Sequence, residues 1–164
     1  MKMKTKVLIG VGAVAVGAGV ALATPIVGLL SPILAAGTNN HDLHARGRAQ
    51  VTGSEPFHVE FETEGPSTLS TQDASIAAGG QNGWHSHPGM VVVTILSGSI
   101  TWYDENCNPT DYKAGDSWVE GSQVHAFRVT STVPFHGIAW FITAQGQPLR
   151  TDQPAPPCAA GLGL

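Results

Sequence analysis

Charge is scarce in this sequence. Asp, Glu, Lys and Arg make up 12% of its 164 residues, about half the roughly 25% usual in soluble domains. Yet 42% of the residues are hydrophobic, which excludes a disordered chain of low hydrophobicity and high net charge. With 8 Lys+Arg against 12 Asp+Glu, there is no basic stripe to track a phosphate backbone, so nucleic acid is excluded as a partner. Cysteine is nearly missing: Cys107 and Cys158 are the only two, and no C-x-x-C supports a thioredoxin-like redox centre. The glycines at 79, 80 and 83 are not followed by Lys-Ser or Lys-Thr, so they form no phosphate loop. No nucleophile–His–acid pattern of a hydrolase appears. Sustained helical periodicity is absent as well.

The little positive charge is unevenly placed. Lys2, Lys4 and Lys6 precede an uncharged run, residues 7–23, that ends in Ala21-Leu22-Ala23. A basic start, an apolar stretch and an A-x-A site together read as a secretory signal peptide over residues 1–23. An uncleaved membrane anchor is the competing reading. Against it, a run of about 17 residues is borderline for crossing a bilayer, and Pro25 and Pro32 argue against a longer helix. The expected location is therefore secreted or extracytoplasmic, in the cell envelope, with membrane contact only during export. Residues 24–32 form a mature N-terminal segment, 33–145 a single folded domain, and 146–164 a Pro-rich tail that is either an ordered wrap or a loose end. An even pair of cysteines in an oxidising compartment most simply forms one disulfide, Cys107–Cys158, with free or intermolecularly paired thiols as the alternative.

The mature chain reads as short strands separated by Gly, Pro, Asn and Asp. Strands are expected near residues 31–36, 57–64, 69–77, 90–96, 100–103, 111–113, 117–120, 124–129 and 135–143, with a turn at 79–83. In 57–64, His58, Glu60, Glu62 and Glu64 alternate with Phe57, Val59, Phe61 and Thr63, as in a half-buried antiparallel strand. The last two strands look like a hairpin. His41, His44, Arg46 and Arg48 fall in what reads as a polar, solvated loop. Eight or nine short strands suggest an all-β sandwich or a closed antiparallel barrel, which removes exposed sheet edges.

Histidine is where chemistry concentrates. His85 and His87 are two apart, and on a strand such residues project from one face. His125 follows on another expected strand. Three neutral imidazoles can hold one divalent transition ion, with Fe, Mn, Zn, Cu and Ni all suited to such ligands. The competing reading is a set of histidines that simply lines a pocket. Glu120 shares a strand face with Trp118 and is a candidate fourth ligand or general base, although a solvent-facing rim carboxylate is the commoner fate of such a residue. Val91, Val93 and Ile95 continue the His85/His87 face, and Phe127 adjoins His125, so Val91, Val93 and Phe127 are expected to line an apolar pocket for a small molecule. His136 is expected to be a hydrogen-bonded structural histidine, and Trp102, Trp118 and Trp140 to pack in the core.

Gly79, His85, His87 and Gly98 stand at the spacing G-x5-H-x-H-x3-E-x6-G, which resembles the first motif of the cupin superfamily. Gly115-Asp116 followed by His125 is similar to the second motif, one residue short. The string Gly83-Trp84-His85-Ser86-His87-Pro88-Gly89 resembles a branch of small exported bacterial cupins that carry one Cys in a mid-chain loop and another near the C-terminus. Two positions depart from the pattern: Val91 stands where the motif puts its glutamate, and Gly121 replaces the proline of the second motif. The resemblance implies a cupin jelly roll, a metal held by the histidines, a small-molecule substrate and dioxygenase-like chemistry. It also implies a homodimer. A non-enzymatic extracytoplasmic module that binds a metal or small ligand is the alternative.

Overall fold

The computed structural model describes residues 26–164, so the expected signal segment lies outside the described residues. The strands are β1 (Val27–Leu30), β2 (Ile33–Asn39), β3 (Leu43–Ala49), β4 (Phe57–Thr63), β5 (Ser67–Gln81), β6 (His85–Ser86) and β7 (Met90–Ser97). They continue as β8 (Ser99–Tyr103), β9 (Pro109–Lys113), β10 (Ser117–Glu120), β11 (Ala126–Val129), β12 (Phe135–Ala144) and β13 (Thr151–Asp152), followed by a 3-10 turn at Pro157–Ala159. Among the described residues no helix is long and apolar enough to cross a membrane.

Nine strands form one antiparallel sheet in the order β10-β7-β12-β5-β11-β8-β9, with β1 and β2 also paired to β5. The sheet curls into a nearly closed jelly-roll barrel, the all-β architecture expected from the strand spacing. Strand alternation places the core: Val91, Val93 and Ile95 of β7 point inward with Phe127 and Val129 of β11 and Phe135, Ala139 and Phe141 of β12. At the motif glycine Gly98, φ is +82° and an added Cβ would lie 2.7 Å from the Pro134 carbonyl oxygen. Only glycine turns β7 into β8 there.

Several local expectations are corrected. The last two strands are no hairpin: β11 pairs with β8 and briefly with β5, whereas β12 lies between β5 and β7. Their apolar faces meet across the barrel instead, with Phe127 and Phe135 rings 5.2 Å apart. The glycines near 79 do not end the strand. β5 runs on to Gln81, and a register shift against β1 absorbs them. The polar segment around His44 is strand β3, paired with β4 as a separate ribbon. Its cations face β4 acids, with Arg46 Nε donating to Glu60 Oε1 at 2.7 Å. That ribbon is not half-buried, since Phe57 and Val59 are exposed. Nor does Trp140 pack in the core, being 61% exposed on the outer face of β12, while Trp118 is buried. His136 does take a structural partner, Asp73, at 2.6 Å.

Candidate metal centre

The barrel mouth brings four side chains to one point. His85 and His125 form an antiparallel bridge, exchanging backbone hydrogen bonds of 2.9 and 2.8 Å. The His87 backbone N–H donates to Gly121 O at 3.1 Å, fixing the second imidazole beside them. Glu120 closes β10 directly opposite Val91 of β7. The ligand-capable atoms of His85, His87, Glu120 and His125 all lie within 4.8 Å of one another, and all four residues are buried. Glu120 is thus no rim carboxylate: the inward side of β10 takes it, in register with the inward Val91.

Each imidazole has its tautomer set by the main chain. His85 Nδ1 donates to Gly83 O at 2.8 Å, His87 Nδ1 to Leu149 O at 2.7 Å, and His125 Nδ1 to Gln123 O at 2.8 Å. A carbonyl can only accept, so every Nδ1 carries a hydrogen. In the neutral ring the Nε2 lone pair is then free. The Nε2 atoms of His87 and His125 lie 3.2 and 3.4 Å from Glu120 Oε2 and Oε1. Those are ion-pair separations without hydrogen-bond alignment, and both nitrogens are buried with no hydrogen-bond partner.

Glu120 is held in place from behind. Trp102 Nε1 and Trp118 Nε1 both donate to its Oε1, at 3.1 and 2.9 Å. Oε2 is left facing His87. Trp102 also stacks on His125, with ring centroids 5.7 Å apart. Burial pushes the Glu120 carboxyl up, but positive charge carried at His125 and His87, as when their Nε2 atoms are protonated, outweighs it and holds the group well below the usual carboxylate range. Burial, reinforced by the charges of His125 and Arg150, keeps His85 well below the ordinary imidazole value. A neutral His85 is the form that binds a metal.

These residues fit a metal ion. Four ligand-capable atoms converge in a buried site, where a cation between them would offset the cost of the buried carboxylate. The backbone carbonyls that accept the Nδ1 hydrogens are the usual outer partners of metal-ligating imidazoles.

A cavity of about 170 Å³ opens onto this cluster. Its walls include the expected Val91, Val93 and Phe127, joined by Phe135, Phe141 and Leu149. Sequence reading missed four contributors. Trp102 and Trp118 read as packing residues, and only the shared face of Trp118 and Glu120 hinted at their hydrogen bonds. The Leu149 carbonyl and Arg150 belong to the tail, where nothing in the sequence marks them.

The tail is an ordered wrap. β13 pairs with β6, Thr151 opposite Ser86 and Asp152 opposite His85. Gln153 N donates to Trp84 O at 2.9 Å. A disulfide joins Cys107 to Cys158, with Cα atoms 6.0 Å apart. Trp84 is fully buried in a second cluster with Ala126 and Ala159.

No curated protein matches the chain in sequence. Among solved structures it is similar to a cupin-like protein from Thermotoga maritima, at 19% identity and TM-score 0.44, over 53% of this chain and 65% of that one. DMSP lyase DddQ from Ruegeria pomeroyi aligns at 22% identity and TM-score 0.46, over 52% and 43%. A cupin domain from Bordetella pertussis aligns at 15% identity and TM-score 0.46, over 74% and 100%. The chain thus spans less than two thirds of the first two of these structures. At the level of sequence families, residues 73–141 match the cupin domain, a stretch that holds all four converging side chains.

Proposed function

We propose that this chain is an exported cupin that binds one divalent transition metal ion through His85, His87, His125 and Glu120 and takes a small organic molecule into the adjoining cavity. One observation carries the reading: three backbone carbonyls claim the Nδ1 hydrogens, leaving three Nε2 lone pairs converging with a buried carboxylate. When bound, such an ion supplies Lewis-acid polarisation of a substrate oxygen, or redox chemistry if it is Fe, Mn or Cu. The chain's own contribution is placement. Trp102 and Trp118 fix the carboxylate, the Leu149 carbonyl fixes His87, and Val91, Val93, Phe127 and Phe141 exclude water from the floor of the cavity.

Export is part of the reading. It rests on the basic, apolar and A-x-A order of residues 1–23 and is supported by the Cys107–Cys158 disulfide, a bond rare in reducing compartments. N-terminal sequencing of the protein recovered outside the cytoplasm should begin at Thr24.

Elemental analysis of the purified protein tests the metal. About one transition metal ion per chain is expected, falling below roughly a tenth of that in His85→Ala and His125→Ala at unchanged secondary structure. Wild-type protein that takes up no stoichiometric metal from solution rules the proposal out. Oxygen uptake by the metal-loaded protein with small phenols and thiols separates an oxygenase from a binding module.

A further inference from the structure

The cavity beside the cluster is walled mostly by apolar side chains. Of its polar wall residues, Ser31 Oγ donates to Gln72 Oε1 at 2.8 Å, and Asn82 Oδ1 accepts the Phe127 N–H at 2.7 Å. Ser31 Oγ, Gln72 Oε1 and Asn82 Oδ1 are thereby engaged within the protein. Arg150 is different. It is the one cationic residue of the wall, and its Nη2 is buried with no hydrogen-bond partner among the described residues. Its Nε donates to Asp152 Oδ1 at 2.6 Å, which sets the plane of the guanidinium but leaves Nη2 unused. A buried, unpaired N–H of a charged group is costly, and the residue that carries it is part of the wall of a largely apolar cavity.

The backbone around Arg150 is fixed as firmly as the cluster itself. Its neighbour Leu149 accepts from His87 Nδ1, and Thr151 and Asp152 pair with the strand that carries His85. Arg150 and the cluster therefore share one rigid frame, and Arg150 lines the same cavity as His85 and His87.

We propose that Arg150 is the specificity residue of the site and that the ligand is a small monocarboxylate with an apolar body, its carboxylate on the Arg150 guanidinium. This rests on the metal reading above and names the ligand class for the same site. The charge count agrees. Counted over the site as a whole, a divalent ion and Arg150 would face the two carboxylates Glu120 and Asp152, so one positive charge remains for a monoanion to neutralise. The size agrees as well: about 170 Å³ suits a benzene-sized body, since an apolar cavity of about 150 Å³ takes benzene.

The test compares benzoate with benzamide, its uncharged isostere, on zinc-loaded protein by calorimetry. Wild type is expected to prefer benzoate by about 10-fold or more, as a charge-assisted hydrogen bond in an apolar site requires. In Arg150→Met, which keeps the aliphatic stem, that preference should fall by about 10-fold. Equal affinities in wild type, or an undiminished preference in R150M, overturn the proposal; the latter would assign the carboxylate to the metal alone. A second measurement needs no variant: benzoate, but not benzamide, should shift the Arg150 guanidinium ¹⁵N resonances of the wild-type protein. Unmoved resonances on saturation with benzoate overturn the proposal even if R150M fails to fold. Zinc content measured on the same samples, and calorimetry repeated on metal-free protein, keep the two readings apart. Absence of zinc from wild type sinks the metal reading, whereas an Arg150-dependent preference without zinc still upholds the carboxylate site.

Discussion

Glu120 occupies a position that explains the anomaly at Val91. The motif glutamate is absent from β7, but its cross-strand partner on β10 is a glutamate, since Glu120 and Val91 stand opposite each other in the antiparallel ladder. Directly opposed residues have Cβ atoms about 5 Å apart, so a carboxylate at 120 reaches the imidazoles from the rung facing the one where the resembled motif has its glutamate. Its seat is built for it by Trp102 and Trp118. Moving the carboxylate to position 91 should work in part. Glu120→Val alone is expected to weaken zinc binding by at least ~10-fold, and adding Val91→Glu should recover some of that loss, short of wild type because both indole N–H groups lose their acceptor. Competition against a chromophoric chelator measures it, and a double variant no tighter than E120V would refute the one-rung account. The three histidines and Glu120 could be named from the sequence because strand periodicity and motif spacing report them. Their convergence could not, because it depends on the bridge between His85 and His125, forty residues apart. The indole–carboxylate bonds were hidden for a plainer reason: tryptophan in a strand looks like core whether or not its N–H has work to do.

Elements were legible where alternation is strong and misleading where polar residues sit in strands. β7, β8, β10 and β12 fall close to their expected bounds because β-branched and aromatic residues mark them. β3 was invisible, since His44, Arg46 and Arg48 read as loop until the acids of β4 are laid against them. Pairing order was hidden too, because β11 and β12 are adjacent in sequence yet face each other across the core. The β8–β9 connection shows how one polar residue can organise a loop. Asp104 Oδ1 accepts the backbone N–H groups of Asn106 and Asn108 at 2.9 and 2.8 Å, and Oδ2 accepts Asn108 Nδ2 at 2.8 Å. These bonds present Cys107 at a φ of +63°, an unusual conformation for a non-glycine residue. The Asn108 side-chain bond, then the backbone bonds, hold the Asp104 carboxyl below its ordinary value of 3.8 despite slight opposition from burial. A depressed folded-state value means the ionised form favours folding. The contribution is therefore complete above the unfolded value and is lost as pH falls through the folded one. Asp104→Asn should be less stable than wild type at neutral pH, by a gap that stays level down to about pH 5 and closes below about pH 4. Urea midpoints across that range would show it, and a gap independent of pH would contradict it.

For the whole molecule the decisive feature is that the site is finished by the tail. The barrel supplies His85, His87, Glu120 and His125, but the carbonyl that orients His87 and the guanidinium at the cavity come from residues 149 and 150. The tail is secured at three levels. β13 pairs with β6, Ala159 packs against Trp84 and Ala126, and Cys158 is bonded to Cys107. The disulfide closes a loop with a sequence separation of 51, which by chain entropy is worth roughly 2–4 kcal/mol. Strand pairing of two residues and one small apolar cluster are weaker restraints, so opening of the tail should become frequent once the bond is gone. Cys107→Ser/Cys158→Ser is therefore expected to lose roughly 2–4 kcal/mol of stability and to release zinc to a chelator severalfold faster than the oxidised wild type. The two effects have different origins: one lies in the unfolded chain, the other in a tail that no longer holds His87 in its tautomer. Mild reduction of wild type without denaturant should reproduce the faster release, and reoxidation should reverse it. Equal release rates in the oxidised, reduced and doubly substituted proteins would show that the barrel alone sets the site and that the tail merely covers it.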